Sequence, residues 1–448
     1  MLRLRTVVAA AVGLVMAAAL LVAPVPAANA AIPTGTLRLA AGQKITATFT
    51  GTKLSSKRLV VLQASDDGMV WQTLQTVKMS SKGSAAFGVI ATDHRSYRAV
   101  ARTFTYKVKK KKVTIAQVVT PVVTLGAATF AEEFNSDTLD PAVWRHRTVI
   151  GYNGFERWCA APVEANTVVS GGSARLMTTA VTDAEKRAGI IEGARAQLQK
   201  LYQGQLDAAR VTEAAAKTKL DAAKKLPAKT KSQKKKRTSA IKKATSVHKS
   251  AVAARRAVET KMTPCPFGTY DNAMISTEGK RKFSAGTLVA RVKFAQGQGS
   301  HAGLWLQAAT GEEIDIIEAY GHGRGITNVV HRKVGDVLRK EPAAAMDAYV
   351  AVKTVRSASW WSKWHTVAVT FDGQSISFWM DGVRTRRVAG IQADFSLIVS
   401  QLSSDWETYR VKKPDVRPGS GVKRSTVKKK ALPITFQIDW IRVWEKAT

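Results

Sequence analysis

The residues best suited to bond-making chemistry lie together in Gly311-Glu312-Glu313-Ile314-Asp315-Ile316-Ile317-Glu318. Ile314, Ile316 and Ile317 favour a β-strand with a buried face. Residues two apart in a strand share a face, so Glu313 and Asp315 point the same way and Glu312 the other. Glu318 comes three after Asp315 and would face away from that pair in a regular strand. One extra residue around Ile316-Ile317, a β-bulge, would return it to their face. The Cα atoms of Glu313 and Glu318 would then lie roughly 13 Å apart, four effective steps of about 3.3 Å. If each side chain leans inward by about 4 Å, the carboxylates end roughly 5 Å apart, the separation at which one attacks a sugar carbon while the other handles the proton. Read alone, the same acids also suit a solvated strand edge.

The chain that must position this strand has 448 residues, which suggests two or three domains. Its 45% hydrophobic and 23% charged content is that of an ordinary globular protein, but the net charge of +36 is not. Such a balance draws the chain to anionic surfaces such as nucleic acid, acidic polysaccharide or a bacterial envelope. Residues 1–30 read as a secretory signal peptide, with Arg3 and Arg5, an apolar run and a small-residue site at Ala28-Asn29-Ala30. The expected location is therefore secreted and extracellular, with cell-wall association open. No later stretch is apolar enough to span a bilayer. In an exported chain the two cysteines, Cys159 and Cys265, read as one disulfide or as a pair of buried free thiols.

Short alternating runs between turn signals mark residues 32–105 as a small β-sandwich. Trp71 and Tyr97 are expected in its core. Residues 106–124, with the basic run Lys107–Lys112 and then an extended stretch holding Pro121, read as a linker. From 125 to 448 the β runs are longer and rich in tryptophan. This second region is interrupted at 182–263. Thr182-Asp-Ala-Glu185 has the form of a capping box, followed by Ile190, Ala194, Leu198, Leu201 and Ala208 at helical spacing. The run stops before Pro227, and Lys229–Arg237 reads as a basic turn. Ala240, Ala244, Val247, Ala251, Ala254 and Val258 then continue in an a/d-like pattern. The expectation is a helical hairpin inserted in a loop, with the two cysteines stapling its base to the neighbouring loop; a disordered lysine-rich tract is the alternative.

Several segments of the second region resemble glycoside hydrolase family 16, the laminarinase-like superfamily. They are Phe130-Ala-Glu-Glu-Phe-Asn with Trp144, Ile275-Ser-Thr-Glu-Gly-Lys, Ala290-Arg-Val-Lys-Phe, Gly303-Leu-Trp305-Leu, the acid strand itself, Trp364-His365-Thr-Val-Ala-Val, Ile376-Ser-Phe-Trp-Met-Asp381-Gly382 and Phe436-Gln-Ile-Asp439-Trp-Ile-Arg-Val-Trp444. They run in the family's order from 127 to 444. The N-terminal segment weakly resembles bacterial immunoglobulin- or fibronectin-like modules. The resemblance implies an all-β chain: a concanavalin-like β-jelly-roll with the inserted helical hairpin, preceded by the small β-sandwich.

The family pattern E-x-D-x-x-E falls on Glu313, Asp315 and Glu318, and implies a nucleophile, an assisting aspartate and an acid/base. The physics asks for the same division, because a nucleophile must be ionised while an acid must hold its proton, and crowded carboxylates raise at least one pKa. The resemblance also points to Trp305, His331, Trp406 and Asn153 as substrate-binding candidates, with His331 beside Glu318. Trp305 and His331 also suit a packed tryptophan and a satisfied strand histidine. Glu156 and Trp158 lie near the same rim, and Trp360 and Trp361 suit either rim or packing. Departures fall on the cleft walls. The usual Gly-x-Trp-Pro-Ala-Phe-Trp is Gly299-Ser-His301-Ala-Gly-Leu-Trp305 here, so His301 stands in place of a tryptophan. No cofactor is required, and a structural calcium at Glu133 and Asp439 stays open. The implied activity is a retaining endo-β-glucanase on β-1,3 or mixed β-1,3/1,4 glucan. Hydrolysis of anionic galactans and non-catalytic wall binding are the alternatives. The expected partner is a polysaccharide, with an anionic envelope or polysaccharide for the basic insertion, no nucleic acid, and a monomeric state.

Overall fold

The computed structural model describes residues 33–148, 159–265, 268–294, 300–320, 325–334, 337–340, 344–345, 358–403 and 432–446. The signal-peptide stretch, Asn153, Glu156, Trp158, Trp406 and the lysine tract Lys412–Lys430 lie outside them.

Alternation of buried and exposed residues builds the first β region. Strands β1 (Thr34–Arg38), β2 (Lys44–Thr50) and β5 (Ser84–Ile90) form one sheet. A second sheet holds β3 (Leu59–Ser65), β4 (Gln72–Lys78) and β6 (Ser96–Ala101). Ile45 and Phe49 from the first and Leu62 and Tyr97 from the second share one core. Trp71 is not in that core: it is half-buried, with the Arg98 guanidinium 4.0 Å from its ring centroid. The basic run Lys107–Lys112 turns a two-stranded hairpin of β7 (Phe104–Val108) and β8 (Lys111–Ile115). The following stretch is extended as expected but also paired, since β9 (Val118–Val119) and β10 (Val123–Thr124) both bond to β6. The fully buried Arg58 donates to Thr52 Oγ1 and to the carbonyls of Arg102 and Ala116, tying these late segments to the sheet.

The larger region consists of two antiparallel sheets around one core. In the first, β11 (Phe130–Glu132) pairs with β27 (Ile434–Glu445). β14 (Thr167–Ser170) and β15 (Ser173–Ala180) continue on that side. On the other side follow β17 (Gly286–Lys293), β23 (His365–Phe371), β24 (Ser375–Met380) and β25 (Val383–Ala389). The second sheet runs β12 (Arg145–His146), β16 (Tyr270–Ser276), β26 (Phe395–Leu402) and β18 (His301–Ala308). It goes on to β19 (Glu313–Tyr320) and β20 (Gly325–Val334), then β21 (Val337–Lys340) and β22 (Ala344–Ala345). β13 (Ala160–Pro162) and the end of β15 both pair with β16 and join the sheets at one edge. Leu288 and Val292 from one sheet meet Leu304, Ile314 and Ile317 from the other. This is the jelly-roll sandwich implied by the sequence. Trp360 and Trp361, in the short helix Ala358–Trp361, belong to the packing: both are buried and stack on or edge onto Phe294.

The two β regions meet through side chains and backbone alike. Ala41 packs with Val289, Ala368 and Trp379. The Lys44 amide donates to the Gly382 carbonyl at 3.2 Å. Arg442 holds Glu133 through two nitrogens while donating to the Thr92 carbonyl. Gly42 sits at φ +70°, and a Cβ there would come within 2.6 Å of the Ala368 methyl, so the contact requires glycine.

Between β15 and β16 the chain leaves as α1 (Ala184–Lys225) and returns as α2 (Lys231–Lys261). The α1 cap is Asp183, whose carboxylate accepts from the Lys186 amide; it lies one residue beyond the expected Thr182. α2 starts earlier than its apolar pattern suggests, because Thr230 and Gln233 form a full capping box and pull most of the expected turn into helix. The seam between the helices also differs from the apolar stripe. Ala194, Leu198, Leu206 and Ala251 are buried, but Leu201 and Val247 are about half exposed. The ion pair from Arg255 to Glu213 draws the polar side of α2 inward. Cys159 and Cys265 are disulfide-bonded with Cα atoms 5.3 Å apart, and Lys186 pairs with Asp271 at 2.8 Å, so both fasten the hairpin base. Among the described residues no helix is long and apolar enough to cross a membrane.

Candidate active site

Strand β19 contains the bulge its spacing asks for. Against β18, Leu304 pairs with Ile317 and the next residue, Trp305, pairs with Asp315, leaving Ile316 as the extra residue. Against β20, Asp315 faces Val329 and Glu318 faces Thr327, so Ile316 and Ile317 stand opposite the single residue Asn328. Paired residues share a face, and the partners of Glu313, Asp315 and Glu318 on β18 are Gln307, Trp305 and Gly303, all two apart. The three acids therefore stand on one face, opposite the core that takes Ile314, Ile316 and Ile317. Asn328, wholly buried and lying opposite the bulge, donates its side-chain amide to the Ile316 carbonyl at 2.5 Å. A bulged carbonyl has lost its ladder partner, and this bond replaces it.

Each end of the acid row has its own surroundings. Glu313 and Asp315 are 5% exposed. His331, directly opposite Glu313 on β20, brings Nε2 to 3.5 Å from Glu313 and 3.9 Å from Asp315. Gln307 donates to the other Glu313 oxygen at 3.3 Å, and is itself held by Arg147 at 3.1 Å. Glu318 instead meets His301, with Nε2 3.0 Å from its Oε1. His331 was expected beside Glu318, but the antiparallel register carries it to the other end of the row, and His301 from β18 takes that place. His301 stood out in the sequence only as a departure from a family pattern. Gln307, Arg147 and Asn328 gave no signal beyond their positions on neighbouring strands.

Trp305 lies on the acid face, half-buried. Its indole N–H donates to Ser400 Oγ at 3.2 Å, and the Arg147 guanidinium lies 5.8 Å from its ring centroid. Beneath it Met274, Ile398 and Leu402 form a small apolar floor. The two other binding candidates, Asn153 and Trp406, are outside the described residues. The donor atoms of Glu313, Asp315 and His331 lie within 4.8 Å of one another, which is ligand-like spacing. The pair considered for calcium does not offer a shared site. Both Glu133 oxygens accept from Arg442, and Asp439 is paired with Arg291.

A row of three carboxylates, two buried and the third partly so, with an imidazole at each end and an aromatic ring alongside, can do two-carboxylate chemistry on a flat polar ligand. A family model described as glycosyl hydrolases family 16 matches residues 228–407, from the hairpin tip to just past β26. Among curated proteins none matches the sequence. Similar solved structures include the laminarinase catalytic domain from Thermotoga maritima MSB8, at 15% identity over 72% of this chain and 99% of that one, TM-score 0.41. The endo-beta-1,3-glucanase from Pyrococcus furiosus is similar at 13% identity over 77% and 98%, TM-score 0.41. The laminarinase from Rhodothermus marinus is similar at 14% identity over 72% and 98%, TM-score 0.41. Similarity of this depth assigns no role to any residue here.

Proposed function

We propose that this chain, whose residues 228–407 match glycosyl hydrolases family 16, is a secreted retaining endo-glycosidase cutting internal β-1,3 or mixed β-1,3/1,4 glucan bonds. The observation that supports it most is the two-for-one bulge at Ile316, which puts Glu313, Asp315 and Glu318 on one face. In the proposed reaction Glu313 attacks the anomeric carbon while Glu318 gives its proton to the departing glycosidic oxygen. The resulting glycosyl ester on Glu313 is opened by water. Glu318 takes the water's proton as the C–O bond to Glu313 breaks, and both carboxyl groups return to their starting states. Asp315, with His331 and Gln307, holds the Glu313 carboxylate in its attacking orientation. Trp305 offers a ring for a sugar's C–H face to stack on.

Arg147, the arginine that meets this face through Gln307 and Trp305, is itself within 3.7 Å of Glu278. It therefore gives no particular support to an anionic substrate. The test is reducing-sugar release from laminarin, lichenan, agarose and carrageenan, comparing wild type with Glu313→Gln and Glu318→Gln. Cleavage of laminarin or lichenan that both substitutions lower by at least about a hundredfold is the expected result. Cleavage confined to agarose or carrageenan would move the reading to galactans, and full activity in either variant would remove the site assignment.

A further inference from the structure

The α1–α2 hairpin takes no part in the chemistry above, and its first helix is the longest among the described residues. At 1.5 Å per residue the 42 residues of α1 span about 63 Å, so the tip lies far from the sheets that anchor the base. Along most of α1 each acid has a local cation: Glu192 pairs with Arg195, Asp207 with Arg210 and Asp221 with Lys217. Glu213 takes Arg255 from the other helix. That balance stops at Asp221. Between Asp221 and Glu259 there is no acidic residue, and thirteen are Lys or Arg. Eight of the thirteen fall in the fourteen residues Lys224–Arg237, which cross the tip. Lys225, Lys229, Lys231, Lys234, Lys235 and Lys236 are all exposed. Among the described residues the ion pair at the tip is Lys224 to Asp221, at 3.6 Å.

The composition of the tip narrows its partner. Seven of the eight cations are lysines, compact point charges that bind phosphate as such and lack the planar fork with which arginine grips carboxylates and phosphates bidentately. No Phe, Trp or Tyr occurs between Tyr202 and Phe267, so the hairpin tip has no platform on which a nucleobase could stack. What such a surface recognises is linear charge density. We infer that the hairpin tip is a binding surface for a linear phosphate polymer. This inference does not rest on the glycosidase reading.

The test uses the full-length protein and immobilised inorganic polyphosphate, with polygalacturonate as the carboxylate polymer and laminarin as the neutral one. The variant changes Lys234, Lys235 and Lys236 to alanine, the best helix former, and retention of helical signal by circular dichroism checks the fold. Wild type should bind polyphosphate best and lose about a thousandfold in affinity between about 50 and about 200 mM salt. The variant should bind at least about tenfold more weakly, with a log–log salt slope reduced by about three, one per lysine. Equal binding by wild type and variant overturns the assignment to the tip. Equal affinity for polygalacturonate overturns the assignment to phosphate. Glucan hydrolysis should be the same in both proteins, so a failed hydrolysis assay and a failed binding assay are separate results.

Discussion

Glu313 and Glu318 stand on one face of one strand, but the sheet furnishes them differently. Glu313 is crowded, with Asp315 two residues on, His331 across the ladder and Gln307 on the far oxygen. Its side chain is 7% exposed. Glu318 is 12% exposed and meets His301 at 3.0 Å. A nucleophile gains from being held still in one orientation by several groups. A group that must give up a proton and then take one back needs space for leaving group and water, and a partner that tolerates both of its charge states. The bulge separates the two settings, because it moves Glu318 onto the shared face while stepping it away from the Glu313 cluster.

Removing the proposed nucleophile should cost most. Glu313→Gln is expected to lower kcat by on the order of 10⁴- to 10⁶-fold in a protein that still folds, as measured by initial rates on a soluble glucan. Glu318→Gln should cost less, about 10²- to 10⁴-fold, and the deficit should shrink on an aryl glycoside whose leaving group needs no proton. If the aryl substrate rescues Glu313→Gln instead, the two roles are reversed.

The histidines test the difference at one remove. His301→Phe is expected to lower kcat about tenfold with KM little changed, and His301→Gln, which can restore an N–H, should recover most of the loss. No recovery in His301→Gln would leave His301 a packing residue. Smallest in its effect on chemistry, Asn328→Ala strands the Ile316 carbonyl of the bulge and should cost about 1–3 kcal/mol of stability in denaturant unfolding. The Glu318 end should suffer more than the Glu313 end, so the variant is expected to resemble a mild Glu318→Gln in its leaving-group dependence.

The spacing of Asp315 and Glu318 makes the bulge legible in the sequence, because side-chain direction in a strand alternates strictly and a shared face leaves no other solution. The jelly-roll was legible only through the resemblance of the strand segments, in their order, to glycoside hydrolase family 16. Cross-strand partners were not. Which histidine faces which glutamate depends on the registers of β18 and β20, and those are set by turns and by the bulge rather than by either strand's own residues. That is why His331 was expected at the wrong end of the row and His301 was read only as a lost tryptophan. The hairpin itself was legible, but its seam was not. Its alanine stripe was visible in the sequence, but the Arg255–Glu213 pair that turns the seam joins residues 42 apart. The early start of α2 was readable in Thr230 and Gln233, and the lysine run between Lys229 and Arg237 obscured it.

The claim that joins these points is that one carboxylate attacks and the other manages protons on the same face of the strand. The anomeric configuration of the first product answers it directly. Proton NMR of fresh laminarin or lichenan digests by wild type should show the β-anomer appearing first and the α-anomer growing in only by mutarotation. A product that appears first as the α-anomer would mean direct attack by water, and would contradict the account.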